Sequence, residues 1–221
     1  MVSAVVLIEL RDVIFGFPRG ERILDGISFS VKDGERIGLT GGNGAGKSTL
    51  FQIALGLLRP EGGAVLLWGK ECRREEDFRE GRRRIGLVFQ DPDDQLFCPS
   101  VIEDVAFGPM NLGLSALDAR QRSYWVLEGL GISHLADRPP HHLSGGEKRL
   151  VSIATVLSMQ PEVLFLDEPT EGLDEVSFER VISVIKGYPA RALVVVSHDP
   201  AVLDALTTER HVLKGGRISR A

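Results

Sequence analysis

The chain has 221 residues, with 26 Lys and Arg against 31 Asp and Glu, and a formal net charge of -5 at pH 7. That length supports one well-filled core with room for an inserted subdomain, and the acidic balance excludes a protein that grips nucleic acid by bulk charge. Cys72 and Cys98 stand far apart with no further ligands at metal spacing, so reduced thiols are expected; no run nears the roughly 18 consecutive apolar residues of a membrane span.

In chain order, the apolar runs at 5–10, 27–31 and 64–68, broken by Gly, Asp and Pro turns, predict a small antiparallel sheet. Between them, 36–40 reads as a short buried strand. It ends on Gly41-Gly42-Asn43-Gly44-Ala45-Gly46-Lys47-Ser48-Thr49, after which Leu50, Ile53, Ala54 and Leu57 recur at helical spacing. Strand, glycine loop, helix is the setting in which G-x-x-x-x-G-K-[ST] grips a nucleoside triphosphate. The glycines let the backbone wrap close to phosphate oxygens at the positive end of a helix. Lys47 reaches the β- and γ-phosphates, Ser48 places its hydroxyl on Mg²⁺, and Thr49 adds a secondary phosphate contact. The mixed-charge run 70–84 reads as a solvated helix face.

From 101 to 157 the pattern turns helical, with Val101, Val105 and Ala106 on one face and Ser115 as the cap of a helix reaching 127. His141 and His142, adjacent and without further ligands, do not make a metal site. Ser144 and Glu147 have capping-box spacing, so a helix starts there and buries Leu150, Ile153, Ala154 and Leu157. Gly145 and Gly146 in its first turn cost roughly 1 kcal/mol each against alanine, and they leave N–H groups open to an outside anion. The apolar run 163–166 ends in Asp167-Glu168, at the strand end where open α/β sheets bind ligands. There Asp167 suits Mg²⁺ and Glu168 suits a general base or orienter of water. The segments 176–185 and 193–196 continue as helix and strand, and 211–218 closes as a hairpin turning at Gly215-Gly216.

Taken together, the glycine loop, Gln90 after the strand 85–89, Leu143-Ser144-Gly145-Gly146-Glu147, Asp167-Glu168, Gly172-Leu173-Asp174 and Ser197-His198-Asp199 resemble an ATP-binding cassette ATPase over almost the whole chain. The resemblance implies an α/β cassette fold: a mainly parallel core sheet, an N-terminal antiparallel β subdomain and a helical insert. It implies a single domain over 1–221, with the core and β subdomain at about 1–95 and 160–221 and the helices at about 96–159. ATP and Mg²⁺ are the implied cofactors. By the same resemblance Phe17 stacks on adenine, Gly41 and the residues Asn43, Gly44, Ala45, Gly46, Lys47, Ser48 and Thr49 hold phosphates, and Ser48, Gln90 and Asp167 face the metal. Glu168, Gln90 and His198 form the catalytic group. Ser144, Gly145 and Gly146 close over ATP held by the other subunit, and Asp174 communicates across the dimer.

A narrower resemblance lies in Phe89-Gln90-Asp91-Pro92-Asp93-Asp94-Gln95-Leu96-Phe97 and Glu103-Asp104-Val105-Ala106-Phe107-Gly108-Pro109, which look like the ATPase of energy-coupling factor importers, most like the cobalt and nickel branch. It implies a peripheral protein on the cytoplasmic face of the membrane. Its partners would be a second ATPase subunit, identical or a close paralogue, a transmembrane coupling subunit, and a substrate-binding membrane subunit that recognises the cargo; no direct nucleic acid contact is expected. Asp91, Asp93 and Asp94 read either as turn residues or as partners for an arginine on a cytoplasmic helix of the coupling subunit. The departures are Phe17 in place of a common tyrosine, Gly42 in place of a frequent proline, and Glu171 in place of a small residue. Regulation through a C-terminal extension is not expected. Two competing readings are a soluble cassette acting on nucleic acid or the translation machinery, which usually carries tandem cassettes or large insertions, and a scaffold that binds ATP without turnover. Intact Lys47, Asp167, Glu168 and His198 speak against the scaffold.

Overall fold

Apolar runs without alternation need cover on both faces, whereas alternating runs need it on one, and the strands of this chain sort into two sheets on that basis. The computed structural model describes residues 5–18 and 20–221. Its first part contains β1 (Val6–Gly16), β2 (Arg22–Lys32), β3 (Arg36–Thr40), α1 (Lys47–Ala54), β4 (Gly62–Leu67), β5 (Lys70–Cys72), α2 (Glu75–Arg82) and β6 (Ile85–Val88). The helices α3 (Val101–Asn111), α4 (Ala116–Gly129) and α5 (Gly145–Leu157) follow with no strand among them. The chain then runs through β7 (Val163–Asp167), α6 (Glu175–Gly187), β8 (Ala192–Val196), α7 (Pro200–Leu206), β9 (Glu209–Lys214) and β10 (Arg217–Arg220).

One sheet is antiparallel, in the order β2-β1-β4-β5; the other has the order β10-β9-β3-β8-β7-β6 and is parallel from β9 through β6. All five residues of β7 and of β8 are buried, as strands covered on both faces require. Period-two alternation sends Val163 and Phe165 to one side, against α1 and the antiparallel sheet, where Phe165 stacks on Phe51 at 4.4 Å. Leu164 and Leu166 face the other way, into the cluster built with α3, α5 and α6.

β1 runs well beyond the predicted 5–10. Arg11-Asp12 resembles a turn, but Asp12 adopts φ 47 as a bulge and exchanges bonds with Ser28, whose Oγ accepts from the Asp12 N–H and donates to its carboxylate, both at 3.0 Å. β2 likewise starts ahead of 27, passing Gly26 at φ 74. The 70–84 run divides into edge strand β5, paired with β4, and the short helix α2, so only its second part is the solvated helix predicted. The terminal hairpin β9–β10 turns at Gly215-Gly216 and also joins β3 in parallel, Leu39 opposite His211, widening the sheet that carries the glycine loop. Ser115 caps α4, its Oγ accepting from the Asp118 N–H at 3.2 Å.

Candidate functional site

Four parallel strands lie side by side in the order β3, β8, β7, β6, so their carboxyl ends open along one edge. From them emerge, in turn, the glycine loop, Ser197-His198, Asp167-Glu168 and the Phe89-Gln90 segment. They enclose a cleft of ≈ 440 Å³ lined by Phe17, the loop from Asn43 through Thr49, Gln90, Asp167, Glu168 and His198. Ile23 and Val196 complete the lining; Val196 carried no signal in the sequence beyond an apolar strand position, and Ile23 lies ahead of the predicted strand 27–31.

The loop's conformation depends on two glycines. A Cβ on Gly41, at φ 150, would sit 2.3 Å from the Leu213 carbonyl oxygen in the closing hairpin, and one on Gly46, at φ 102, would sit 2.6 Å from Ile23 Cγ2. Lys47 is buried, its Nζ donating to the carbonyls of Gly41 at 2.8 Å and Gly42 at 3.1 Å. Gly41 thus supports the lysine from behind the cleft without lining it. A phosphate in the loop offers the ammonium stronger, charged acceptors than these carbonyls.

Ser48 Oγ donates to Asp167 Oδ2 at 2.5 Å. Burial pushes the Asp167 carboxyl up, and the Ser48 hydroxyl, Lys47 and Arg149 draw it back. With Gln90 at the same cleft, Ser48 and Asp167 offer only hard oxygen donors, a set that fits Mg²⁺. Glu168 sits at φ 47, its N–H held by the Val196 carbonyl at 2.9 Å. Its Oε2 accepts from Ser197 Oγ at 3.1 Å and from the His198 N–H at 3.3 Å. The other oxygen, Oε1, is buried without a hydrogen-bond partner, with His198 Nε2 at 3.7 Å. Burial therefore raises the Glu168 carboxyl above its ordinary value, against the pull of those hydrogen bonds. A carboxylate with a raised pKa on the wall of the cleft is suited to take a proton from water there.

Four predicted residues stand apart from this cleft. Ser144 and Gly145 are exposed at the start of α5. The capping box is formed: Ser144 Oγ accepts from the Glu147 N–H at 3.3 Å, and Glu147 Oε2 accepts from the Ser144 N–H at 2.8 Å. Gly146 packs near the following crossover, where an added Cβ would meet the Gly172 carbonyl oxygen at 3.4 Å. Asp174, exposed, caps α6 by accepting from the Ser177 N–H at 2.7 Å. In the acidic loop, Asp91 accepts from the Asp93 N–H at 2.9 Å and Asp93 pairs with Lys148 at 2.6 Å. Those two acids are occupied within the chain, which leaves exposed Asp94 as the one suited to an outside arginine. His141 and His142 lie in a 3-10 turn, and no cluster of three His, Cys, Asp or Glu among the described residues is placed to hold a metal.

Comparison with known proteins agrees with this geometry. The ABC transporter family matches residues 24–171. The chain is 43% identical over 215 residues to the energy-coupling factor transporter ATP-binding protein EcfA of Methanocaldococcus jannaschii, covering 96% of this chain and 77% of that protein. It is 47% identical over 215 residues to the cobalt import ATP-binding protein CbiO of Rhodobacter capsulatus, with the same 96% and 77% coverage. A dimeric ATP-binding cassette solved in a post-hydrolysis state with ADP and Pi has a TM-score of 0.87 and 27% identity, covering 97% of each chain. With a phosphate loop, paired carboxylates, Gln90 and His198 gathered on one sheet edge, the chain belongs to the ABC transporter family, as an ATP-binding, ATP-hydrolysing cassette of the energy-coupling factor type.

Proposed function

We propose that the chain binds MgATP in this cleft, pairs head to tail with a second cassette around two nucleotides, and powers a membrane importer of micronutrients whose cargo is cobalt or nickel ion. The observation that carries the reading is the convergence of four adjacent strand ends on one cleft, with Lys47, Glu168 and His198 all lining it. Phe17 stacks on the base, and the loop's N–H groups and Lys47 hold the phosphates. Mg²⁺, held by Ser48, Asp167 and Gln90, supplies charge neutralisation at the phosphates. Glu168 takes the proton of the attacking water, and His198 contacts the γ-phosphate.

Exposed Ser144 and Gly145 and half-buried Gly146, at the start of α5 and away from the cleft of their own chain, are free to meet the nucleotide of a partner cassette, with Asp174 at the crossing. The dimeric cassette solved with ADP and Pi supports the pairing of two cassettes. The chain works peripherally, on the cytoplasmic face, through a transmembrane coupling subunit and a separate substrate-binding subunit; the energy-coupling factor relative at 43% identity supports this reading, and among the described residues no helix is long and apolar enough to cross a membrane. The cobalt-import relative at 47% identity supports the cargo.

Phosphate release and nucleotide binding test the core of this reading. Lys47→Ala removes charge-assisted bonds and should weaken ATP binding roughly ten- to a hundredfold. Glu168→Gln should keep affinity within about twofold while slowing turnover by roughly 10² to 10⁴. Equal losses of affinity in the two variants would remove Glu168 from the role of base.

A further inference from the structure

Arg149 lies at the second turn of α5 and is only 4% exposed. Burying a guanidinium is costly unless it is paired, yet Arg149 takes part in none of the ion pairs among the described residues. Its partners are main-chain carbonyls: one terminal nitrogen donates to the Phe89 oxygen at 2.7 Å and the other to the Gln90 oxygen, while Nε is buried without a partner. Those carbonyls belong to the first residues after β6 ends at Val88. Neighbouring turns of α5 extend the hold. Gln95 accepts from the Phe89 N–H at 3.2 Å and donates to the Ser152 carbonyl at 2.7 Å and to Thr155 Oγ1 at 2.6 Å, and Lys148 pairs with Asp93 at 2.6 Å. The segment 89–95 is thus bound along its length to α5. Burial draws the Arg149 guanidinium down, and the carboxylates of Glu171, Asp91, Asp167 and Glu168 oppose that shift.

We propose that Arg149 is a positioning residue for ATP hydrolysis: it fastens the Phe89 and Gln90 carbonyls to α5, so that the placement of Gln90 in the nucleotide cleft is set by the helix that Ser144 caps, and not by β6. The inference rests on Gln90 acting in the proposed site, and it adds a specific link between that site and the exposed end of α5. Main-chain carbonyls suit this task because they leave the Gln90 side chain to face the cleft.

Hydrogen–deuterium exchange on the nucleotide-free protein, paired with steady-state kinetics of Arg149→Met, Arg149→Lys, Gln90→Ala and the Arg149→Met/Gln90→Ala double variant, tests it. In Arg149→Met the amides of 89–96 should exchange about tenfold faster while those of β3, β7 and β8 keep their protection. Its kcat should fall on the order of a hundredfold with KM for MgATP within about twofold, as for a group displaced by about 1 Å. Arg149→Lys, which keeps a charged donor but not the two-nitrogen fork, should recover part of both signals, and the double variant should be no slower than the slower single one. Multiplying losses in the double variant, or exchange that rises throughout the molecule, would overturn the proposal. Should Arg149→Met fail to fold, Arg149→Lys carries the comparison, and wild-type kcat and exchange in that variant overturn it. A wild-type chain with no turnover would sink the proposed function instead, leaving the confinement of the exchange to 89–96 to decide on Arg149.

Discussion

Glu168 combines a left-handed backbone, φ 47, with a carboxyl oxygen sealed from solvent and unpartnered, and both features cost free energy in the folded chain. Burial is the main cause of its raised pKa; the His198 N–H, the Ser197 hydroxyl and the His198 ring pull it down, and Asp167 pushes it up. Because the folded group binds its proton more tightly than the unfolded one, ionising it destabilises the fold. The penalty is absent below the ordinary value of 4.5 and complete above the raised value. Glu168→Gln should therefore melt higher than wild type at neutral pH, with the gain shrinking as pH falls through the raised pKa, in melting curves recorded across pH. A variant that melts lower at neutral pH would mean that the Ser197 and His198 contacts outweigh desolvation. Asp167 and Glu168 were legible in the sequence because an apolar run ends on them and a complete glycine loop precedes them. The groups that tune Glu168 were legible only in part: Ser197 and His198 entered together through the ordered series of motifs, whereas the bonds they make to Glu168 span 29 and 30 residues and leave no local pattern. Arg149 reads locally as one more charged residue on a helix, and only the fold brings it to Phe89 and Gln90.

At the amino ends of the parallel strands, a ladder of charges runs opposite the nucleotide cleft. Asp33 pairs with Arg191 at 2.7 Å, Arg191 with Glu162 at 3.0 Å, and Glu162 with Arg84 at 2.6 Å, the last guanidinium lying 3.6 Å over the Trp68 ring. These residues immediately precede β6, β7 and β8, apart from Asp33 in the turn before β3, so the ladder ties four elements together. Arg84 first, then Arg191, hold the Glu162 carboxyl below its ordinary value of 4.5. Its contribution is present above that value and lost as pH falls through the depressed one. With every member about a third exposed, solvent screening limits the effect, and Glu162→Gln should cost roughly 1 kcal/mol, or about 2–4 °C in melting temperature at neutral pH. The deficit should close in acid and shrink in high salt; an unchanged melting temperature would leave the strand ends to their backbone bonds alone. Elements were read well where periodicity is strong, as in β3, β7, β8 and the face of α5. Bounds failed where a bulge imitates a turn, at Asp12 and Gly26, and the parallel docking of β9 on β3 escaped because pairing across some 170 residues has no signature in composition.

For the molecule as a whole, the exposed start of α5, at Ser144 and Gly145, and the cleft are two parts of one chain that do not meet within it, and a two-fold pair would let each cover the other. Two free chains, each with a formal charge of -5, repel one another, so the nucleotide-free protein should be monomeric. ATP changes the balance by offering phosphate oxygens to N–H groups that otherwise face water, and it stabilises whichever state contacts it on both sides. Blocking hydrolysis should then accumulate the closed pair. Glu168→Gln with saturating MgATP should double in mass by light scattering and return to monomer when nucleotide is removed. Ser144→Arg places a long side chain at the exposed helix start without touching Lys47 or the cleft of its own chain. In the Glu168→Gln background it should abolish the dimer while nucleotide affinity of the monomer stays within about twofold, since no cleft contact is lost. If Glu168→Gln stays monomeric at saturating MgATP, α5 is not the second wall of the nucleotide site in the isolated protein. Loss of ATP binding in Ser144→Arg would instead place that helix start within its own chain's site.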